Sequence, residues 1–208
     1  MIEFDHTLKF IIVGEASVGK TVLLKRYIKD EFISDSTPTI GSDFFRVQKQ
    51  VDDETILVQF WDTAGQERFR ALTPKIYENC LAALIVYDTT CKSTFEKVRF
   101  WYETLLENCK TTITIMLVGN KTDLIQNRRV GTDEGRDYAR EHGLLFMETS
   151  AKLNDEQCVQ RAFDTIINTA GKVVVEEARK KEREVFPKIR DSILKIEQSN
   201  GKRRNNCC

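Results

Sequence analysis

The sequence predicts an α/β fold: a mostly parallel six-stranded sheet with one antiparallel hairpin strand and helices on both faces. Three observations predict it. Short apolar, β-branched runs alternate with helical patterns along the chain. The second and third runs are joined by Asp52-Asp53-Glu54, a polar turn short enough for an antiparallel hairpin. The motifs that carry chemistry fall just after predicted strands, where such sheets hold their ligands.

The strands are expected at residues 8–13, 42–51, 55–61, 81–87, 113–118 and 144–147, each a run of Val, Ile, Leu and aromatic residues bounded by polar or glycine-bearing segments. Helices are expected at 18–29, 94–108, 133–142 and 155–168, with Thr132 and Asn154 as N-caps of the last two. Parallel strands need crossovers, and those helices supply them on both faces of the sheet. From Lys172 the pattern changes to dense mixed charge, Pro187 interrupts, and Ile189, Ile193 and Ile196 are spaced for one helix face. The end, 199–208, is expected to be polar and without fixed structure. The chain therefore divides into a domain at 1–171 and a partly helical, then flexible tail at 172–208.

Composition narrows the function classes. The 208 residues are 41% hydrophobic, enough for a core, and carry 32 basic and 32 acidic side chains. That balance points to no nucleic-acid partner. Eleven basic and six acidic residues lie from Lys172 onward, so a mildly acidic body carries a basic tail. Cys80, Cys91, Cys109 and Cys158 have no metal-like spacing and read as free thiols of a reducing cytosol. Glu3, Asp5 and His6 interrupt any N-terminal leader, and the apolar run 80–87 is too short to span a bilayer, so the chain is expected to stay on the cytosolic side.

Gly14-Glu15-Ala16-Ser17-Val18-Gly19-Lys20-Thr21 has the form G-x-x-x-x-G-K-[ST] between a strand and a helix. A glycine-bounded loop lets backbone N–H groups wrap phosphates, aided by the helix N-terminus. Lys20 would neutralise β/γ oxygens, and the Thr21 hydroxyl would bind Mg²⁺. Asp62, at the end of the third strand in Asp62-Thr63-Ala64-Gly65-Gln66-Glu67, is placed to hold a Mg²⁺ water, and the Gly65 N–H can approach a γ-phosphate. In Asn120-Lys121-Thr122-Asp123 the Asp123 carboxylate can accept two hydrogen bonds from guanine, a donor pair that adenine lacks. Glu148-Thr149-Ser150-Ala151-Lys152 could supply backbone donors to the base oxygen. Each of the last three is weak alone. Four in this order, each after a strand, are strong together.

That order and spacing resemble the Ras-like small GTPases over roughly residues 7–170. Within them the chain looks like a Rab protein, on Ile40-Gly41-Ser42-Asp43-Phe44, on Trp61-Asp62-Thr63-Ala64-Gly65-Gln66-Glu67-Arg68-Phe69, on Val86-Tyr87-Asp88 and on the terminal Cys207-Cys208. The resemblance implies the small G-protein fold and a GTP/GDP switch that hydrolyses GTP, recruits effectors in the GTP form and regulates vesicle traffic. It implies GTP/GDP and Mg²⁺ as ligands, with Gly14, Ala16, Ser17, Val18, Gly19, Lys20, Thr21 and Val22 around the phosphates. Phe32 and Lys121 would lie against the base with Asn120, Asp123, Ser150, Ala151 and Lys152. Thr39 would meet Mg²⁺ and the γ-phosphate beside Thr21, Asp62 and Gly65, and Gln66 would orient the attacking water. Its partners would be an exchange factor, a GTPase-activating protein, a GDP-dissociation inhibitor, a prenyl-transfer escort and effectors. Geranylgeranyl groups on Cys207 and Cys208 would hold the monomer on the cytoplasmic face of an intracellular membrane, with a cytosolic GDP-bound pool.

Two departures stand out. Ile76-Tyr77-Glu78-Asn79-Cys80 replaces the family's Tyr-Tyr-Arg-Gly-Ala, making the effector-facing triad Phe44, Trp61 and Ile76. Ala16 stands where Ras proteins have glycine and many Rabs serine, which is expected to crowd Gln66 and slow hydrolysis. Two other classes compete. A metabolic phosphotransferase would need an acceptor site and a lid, for which no insertion is present. A nucleotide-locked scaffold would not need Gln66. His6 and His142 read as isolated histidines, Trp101, Phe95 and Leu105 as packing, and the run 180–184 as a solvated helix face.

Overall fold

The computed structural model describes residues 4–32, 42–63, 74–109, 112–153 and 157–204. Its contacts divide the chain into two compact units, Met1–Gly171 and Lys172–Cys208.

The first unit is built on a six-stranded sheet in the order β2-β3-β1-β4-β5-β6. The strands are β1 (His6–Val13), β2 (Ser42–Val51), β3 (Glu54–Thr63), β4 (Ala82–Asp88), β5 (Thr114–Asn120) and β6 (Leu145–Glu148). β2 and β3 form the antiparallel hairpin, while every other neighbouring pair is parallel. Burial follows from that topology. All seven residues of β4 are buried, as befits a central parallel strand covered on both faces. β2, at the edge, alternates exposed and half-buried positions from Phe44 onward.

The helices are α1 (Lys20–Lys29), α2 (Pro74–Tyr77), α3 (Lys92–Glu96), α4 (Val98–Asn108), α5 (Thr132–Glu141) and α6 (Cys158–Arg204), with a 3₁₀ turn at Ile125–Asn127. In the first unit α6 buries Val159, Ala162, Phe163, Ile166, Ile167 and Ala170, the stripe that a 3.6-residue period places on one face. Phe163 stacks on Tyr27 of α1, with ring centroids 4.5 Å apart, and meets Phe10 of β1 and Phe60 of β3. A Cβ on Gly171 would come within 2.9 Å of Ile56 and of Val51, so the helix can lie that close only without a side chain there.

Several local expectations are corrected. The helix expected over 94–108 is two, α3 and α4, separated at Lys97. α5 is capped by Gly131, and Thr132 is its first residue, because the Thr132 hydroxyl donates instead to Glu148 Oε2 at 2.9 Å. α2 and the 3₁₀ turn are too short to show a hydrophobic period. Asn154 lies outside the described residues. In the second unit Pro187 does not end the helix, which continues through 199–204, where no structure was expected. A proline removes one N–H from the ladder, and here strong helix formers precede it in Glu176-Glu177-Ala178-Arg179-Lys180.

Candidate nucleotide site

The parallel strands bring their carboxyl ends to one edge. Ile12 pairs with Asp62, Asp88 with Asn120, and Gly119 with Glu148, so the motif-bearing turns open side by side.

The loop between β1 and α1 is shaped by its glycines. Gly14 has φ +140°, and a Cβ there would lie 2.2 Å from the Val86 carbonyl oxygen. Gly19 has φ +98°, and its Cβ would lie 2.4 Å from Asn120 Nδ2. Neither backbone conformation nor space admits a side chain. Ser17 also holds a left-handed conformation, φ +62°, without being glycine. Val18 is buried, Ala16 and Ser17 are exposed, and Val22 is half-buried in the first turn of α1.

Lys20 opens α1 and is 5% exposed. Its ammonium donates to the carbonyls of Gly14 and Glu15, both at 2.9 Å. Burial brings its pKa down from 10.5 to about 8, against the partial support of Asp62 and Glu15. Thr21 Oγ1 donates to Asp62 Oδ2 at 2.5 Å, joining the helix start to the end of β3. From α4, Trp101 Nε1 donates to Glu15 Oε1 at 3.0 Å. Trp101 thus packs as expected, at 3% exposure, and also braces the loop.

The neighbouring turns are tied to this loop by hydrogen bonds. Asn120, buried at the end of β5, donates from Nδ2 to the Val18 carbonyl at 2.9 Å. Its Oδ1 accepts from the Ala151 N–H at 3.3 Å and from Thr149 Oγ1 at 3.5 Å. Lys121 has φ +67° and pairs through Nζ with Asp88 Oδ2 at 2.6 Å. Burial pushes the Asp88 carboxyl up, but the bonds from Lys121 and Thr90 outweigh it and hold it below the ordinary range. Ser150 Oγ donates to Asp123 Oδ1 at 2.7 Å, which aims the carboxylate. Arg26 of α1 clips the turn from below, donating to the Ala151 carbonyl at 2.9 Å and the Lys152 carbonyl at 3.1 Å. The exposed Phe32 ring lies 6.0 Å from the same guanidinium.

These residues suit a nucleotide and a hard cation. No side chain caps α1 and no acid stands in its first turn. Donors converging at a helix N-terminus beside a buried ammonium make an anion cradle. The Thr21 hydroxyl and Asp62 carboxylate offer only oxygen, as Mg²⁺ prefers, and among the described residues no larger acidic or histidine cage surrounds them. That fits an ion completed by phosphate oxygens.

Of the residues singled out in the sequence, Asp62 and Asn120 lie at strand ends on this edge, and Gly14, Ala16, Ser17, Val18, Gly19, Lys20, Thr21, Val22, Lys121, Asp123, Ser150, Ala151 and Lys152 lie in the turns beside them or at the start of α1. Thr39, Gly65, Gln66, Cys207 and Cys208 fall outside the described residues. Arg26, Asp88 and the Glu15–Trp101 pair were missed. Asp88 alone carried a signal, an acid at the end of a buried strand on the same edge.

A family model described as "Ras family" matches residues 9–172. The Arabidopsis thaliana "Ras-related protein RABA2a" is 43% identical over 83% of this chain and 78% of its own. The "GTP-binding protein ypt3" of Schizosaccharomyces pombe is 43% identical over 83% and 79%. The Arabidopsis "Ras-related protein RABA6a" is 44% identical over 84% and 74%.

Proposed function

The chain belongs to the Ras family of small GTPases, in its Rab branch, and from that premise we propose that it is a membrane-tethered switch of vesicle traffic. It binds GTP and GDP and hydrolyses GTP. The observation that carries the site reading is the Asp123 carboxylate, fixed by Ser150 beside Asn120 and Lys121 with acceptor capacity to spare for the two guanine donors.

On this reading Gly14, Ala16, Ser17, Val18, Gly19, Lys20, Thr21 and Val22 hold the phosphates, and Phe32, Asn120, Lys121, Asp123, Ser150, Ala151 and Lys152 enclose the base. Thr21, Thr39 and Asp62 hold Mg²⁺, which when bound neutralises charge on the β- and γ-oxygens. Gln66 orients the attacking water. Thr39 and the Gly65 N–H bond the γ-phosphate, ordering residues 34–41 and 62–73 in the GTP form and releasing them after hydrolysis. Phe44, 40% exposed, packs edge-on against Trp61 at 4.9 Å and, with the partly buried Ile76, suits an apolar effector surface. An exchange factor, a GTPase-activating protein and a GDP-dissociation inhibitor would set the cycle.

The domain at 1–171 would carry this chemistry and 172–208 would tether it. Among the described residues no helix is long and apolar enough to cross a membrane. Geranylgeranyl chains on Cys207 and Cys208, delivered by a prenyl-transfer escort, together with Lys202, Arg203 and Arg204 would supply the two signals that stable anchoring needs.

Asp123→Asn tests the reading. An amide exchanges an acceptor for a donor, so guanine affinity should fall about a hundredfold and xanthosine nucleotides, with one more carbonyl, should gain. Competition binding with GDP, XDP and ADP reads the change. Unaltered preference for GDP would remove Asp123 from the base site.

A further inference from the structure

Glu15 puts a carboxylate into the loop proposed to hold phosphates. It follows Gly14 there and is half-buried. Like charges repel, so a carboxylate left loose beside phosphates weakens their binding. In the structure this carboxylate is restrained. Glu15 Oε1 accepts the Trp101 indole N–H at 3.0 Å, a bond between the loop and α4 across 86 positions of sequence. The Glu15 carbonyl oxygen accepts Lys20 Nζ at 2.9 Å. One residue is therefore gripped twice, through its side chain from α4 and through its main chain from the start of α1. Trp101 is a firm anchor. It is 3% exposed, shares an apolar layer with Ile11 and Val13 of β1 and Leu105 of its own helix, and meets the Phe100 ring edge-on at 5.3 Å.

We propose that Glu15 is a positioning residue for nucleotide binding: Trp101 aims its carboxylate at α4 and, through it, holds the loop main chain in the shape that receives phosphates. The inference rests on the proposed seat of the phosphates in this loop. The loop has need of such a hold. Ser17 keeps a left-handed φ of +62° that its residue type does not enforce, and Ala16 and Ser17 are exposed, so burial does not fix that side. A buried indole N–H needs an acceptor, and bonds to an ionised acceptor are the stronger ones. The single bond satisfies the indole and restrains the charge.

Substitution separates this role from packing. Trp101→Phe keeps an aromatic ring in the apolar layer but removes the donor, releasing a charged carboxylate beside the phosphates. Glu15→Gln keeps an acceptor for the indole but removes the charge. Joined in one chain, the two changes leave no bond and no charge to release. GDP should therefore leave Trp101→Phe about tenfold faster than the unaltered chain, within the range of coupling between neighbours. Glu15→Gln should stay within about twofold of the unaltered chain. The double variant should release GDP more slowly than Trp101→Phe alone, since the repulsion is gone. A tryptophan that only fills space gives no such recovery.

The test is the release of a fluorescent GDP analogue from the full chain, chased with unlabelled GDP at fixed Mg²⁺. The Trp101 indole N–H resonance of the GDP-bound chain supplies a second reading, with Trp61→Phe leaving Trp101 as the one indole. That resonance should move upfield in Glu15→Ala and stay near its place in Glu15→Gln. Glu15→Ala should also release the analogue faster than Glu15→Gln, a comparison that holds even if Trp101→Phe misfolds. Release as slow from Trp101→Phe as from the unaltered chain would overturn the proposal. So would a double variant as fast as Trp101→Phe, or an indole resonance indifferent to Glu15→Ala. Unchanged release from Lys20→Ala would instead move the phosphates out of this loop and remove the premise.

Discussion

Raising the pH should act on Lys20 in two opposite ways. In the unfolded chain its ammonium titrates at 10.5, and in the folded chain burial brings that to about 8. In the proposed site the phosphates bind the protonated form, so affinity should decline as the pH rises through about 8. Between about pH 8 and pH 10 the protonated fraction falls about fiftyfold, equivalent to roughly 2 kcal/mol of binding, until the pKa of the bound state is reached. Folding responds the other way. The folded-state pKa lies below the unfolded one, so over this window the unfolded chain holds more protons and the nucleotide-free protein gains stability with pH. The full shift corresponds to an order of 3 kcal/mol. The binding limb is measured by titrating a fluorescent GDP analogue at fixed ionic strength and Mg²⁺. Lys20→Arg is the control, because a guanidinium keeps its charge throughout while the alkaline ionisation of the base is common to both proteins. The stability limb is the difference in urea unfolding between the nucleotide-free protein and Lys20→Met. Parallel loss of affinity in the unaltered chain and Lys20→Arg, or a flat stability difference, would show that the buried ammonium does not titrate here.

Asn120→Ala removes a buried carboxamide with bonds to Val18, Thr149 and Ala151; it should cost about 2–4 kcal/mol in urea unfolding, and a loss under about 1 kcal/mol would mean the bonds are dispensable. Gln66→Leu should leave GTP binding nearly intact and slow single-turnover phosphate release about tenfold or more, at least ~1.4 kcal/mol of barrier; release at the original rate would exclude Gln66 as the residue that positions water. Replacing Cys207 and Cys208 together by serine should leave nucleotide affinity unchanged and move the protein wholly to the supernatant in membrane sedimentation. Pelleting that survives the double change would assign anchoring to another part of the chain.

Much of this architecture is legible in the sequence because it rests on local pattern. β4 is apolar from Ala82 to Val86 since both its faces are covered, and the turn Asp52-Asp53-Glu54 announces its hairpin. The phosphate loop is legible for the same reason: its glycines answer steric demands, at Gly14 from Val86 and at Gly19 from Asn120. What stayed hidden is contact between distant residues and conformation not enforced by residue type. Nothing in Ser17 or Lys121 advertises a left-handed backbone. The bond from Trp101 to Glu15 spans 86 positions, and that from Arg26 to Ala151 spans 125. α6 continues beyond Pro187 because a long run of helix formers outweighs a single breaker, a balance that residue type alone does not display.

Asn120 ties together with one carboxamide the two halves of the proposed nucleotide site. Its donor holds the carbonyl of Val18, proposed to lie on the phosphate side, and its acceptor holds the N–H of Ala151, proposed to lie on the base side. Displacing either strand of this cross-tie pulls on the other. A protein that prised open only the phosphate end would therefore also slacken the grip on the base, and one that disturbed the base end would unsettle the phosphates. Ejecting a ligand held at two ends then requires leverage at one.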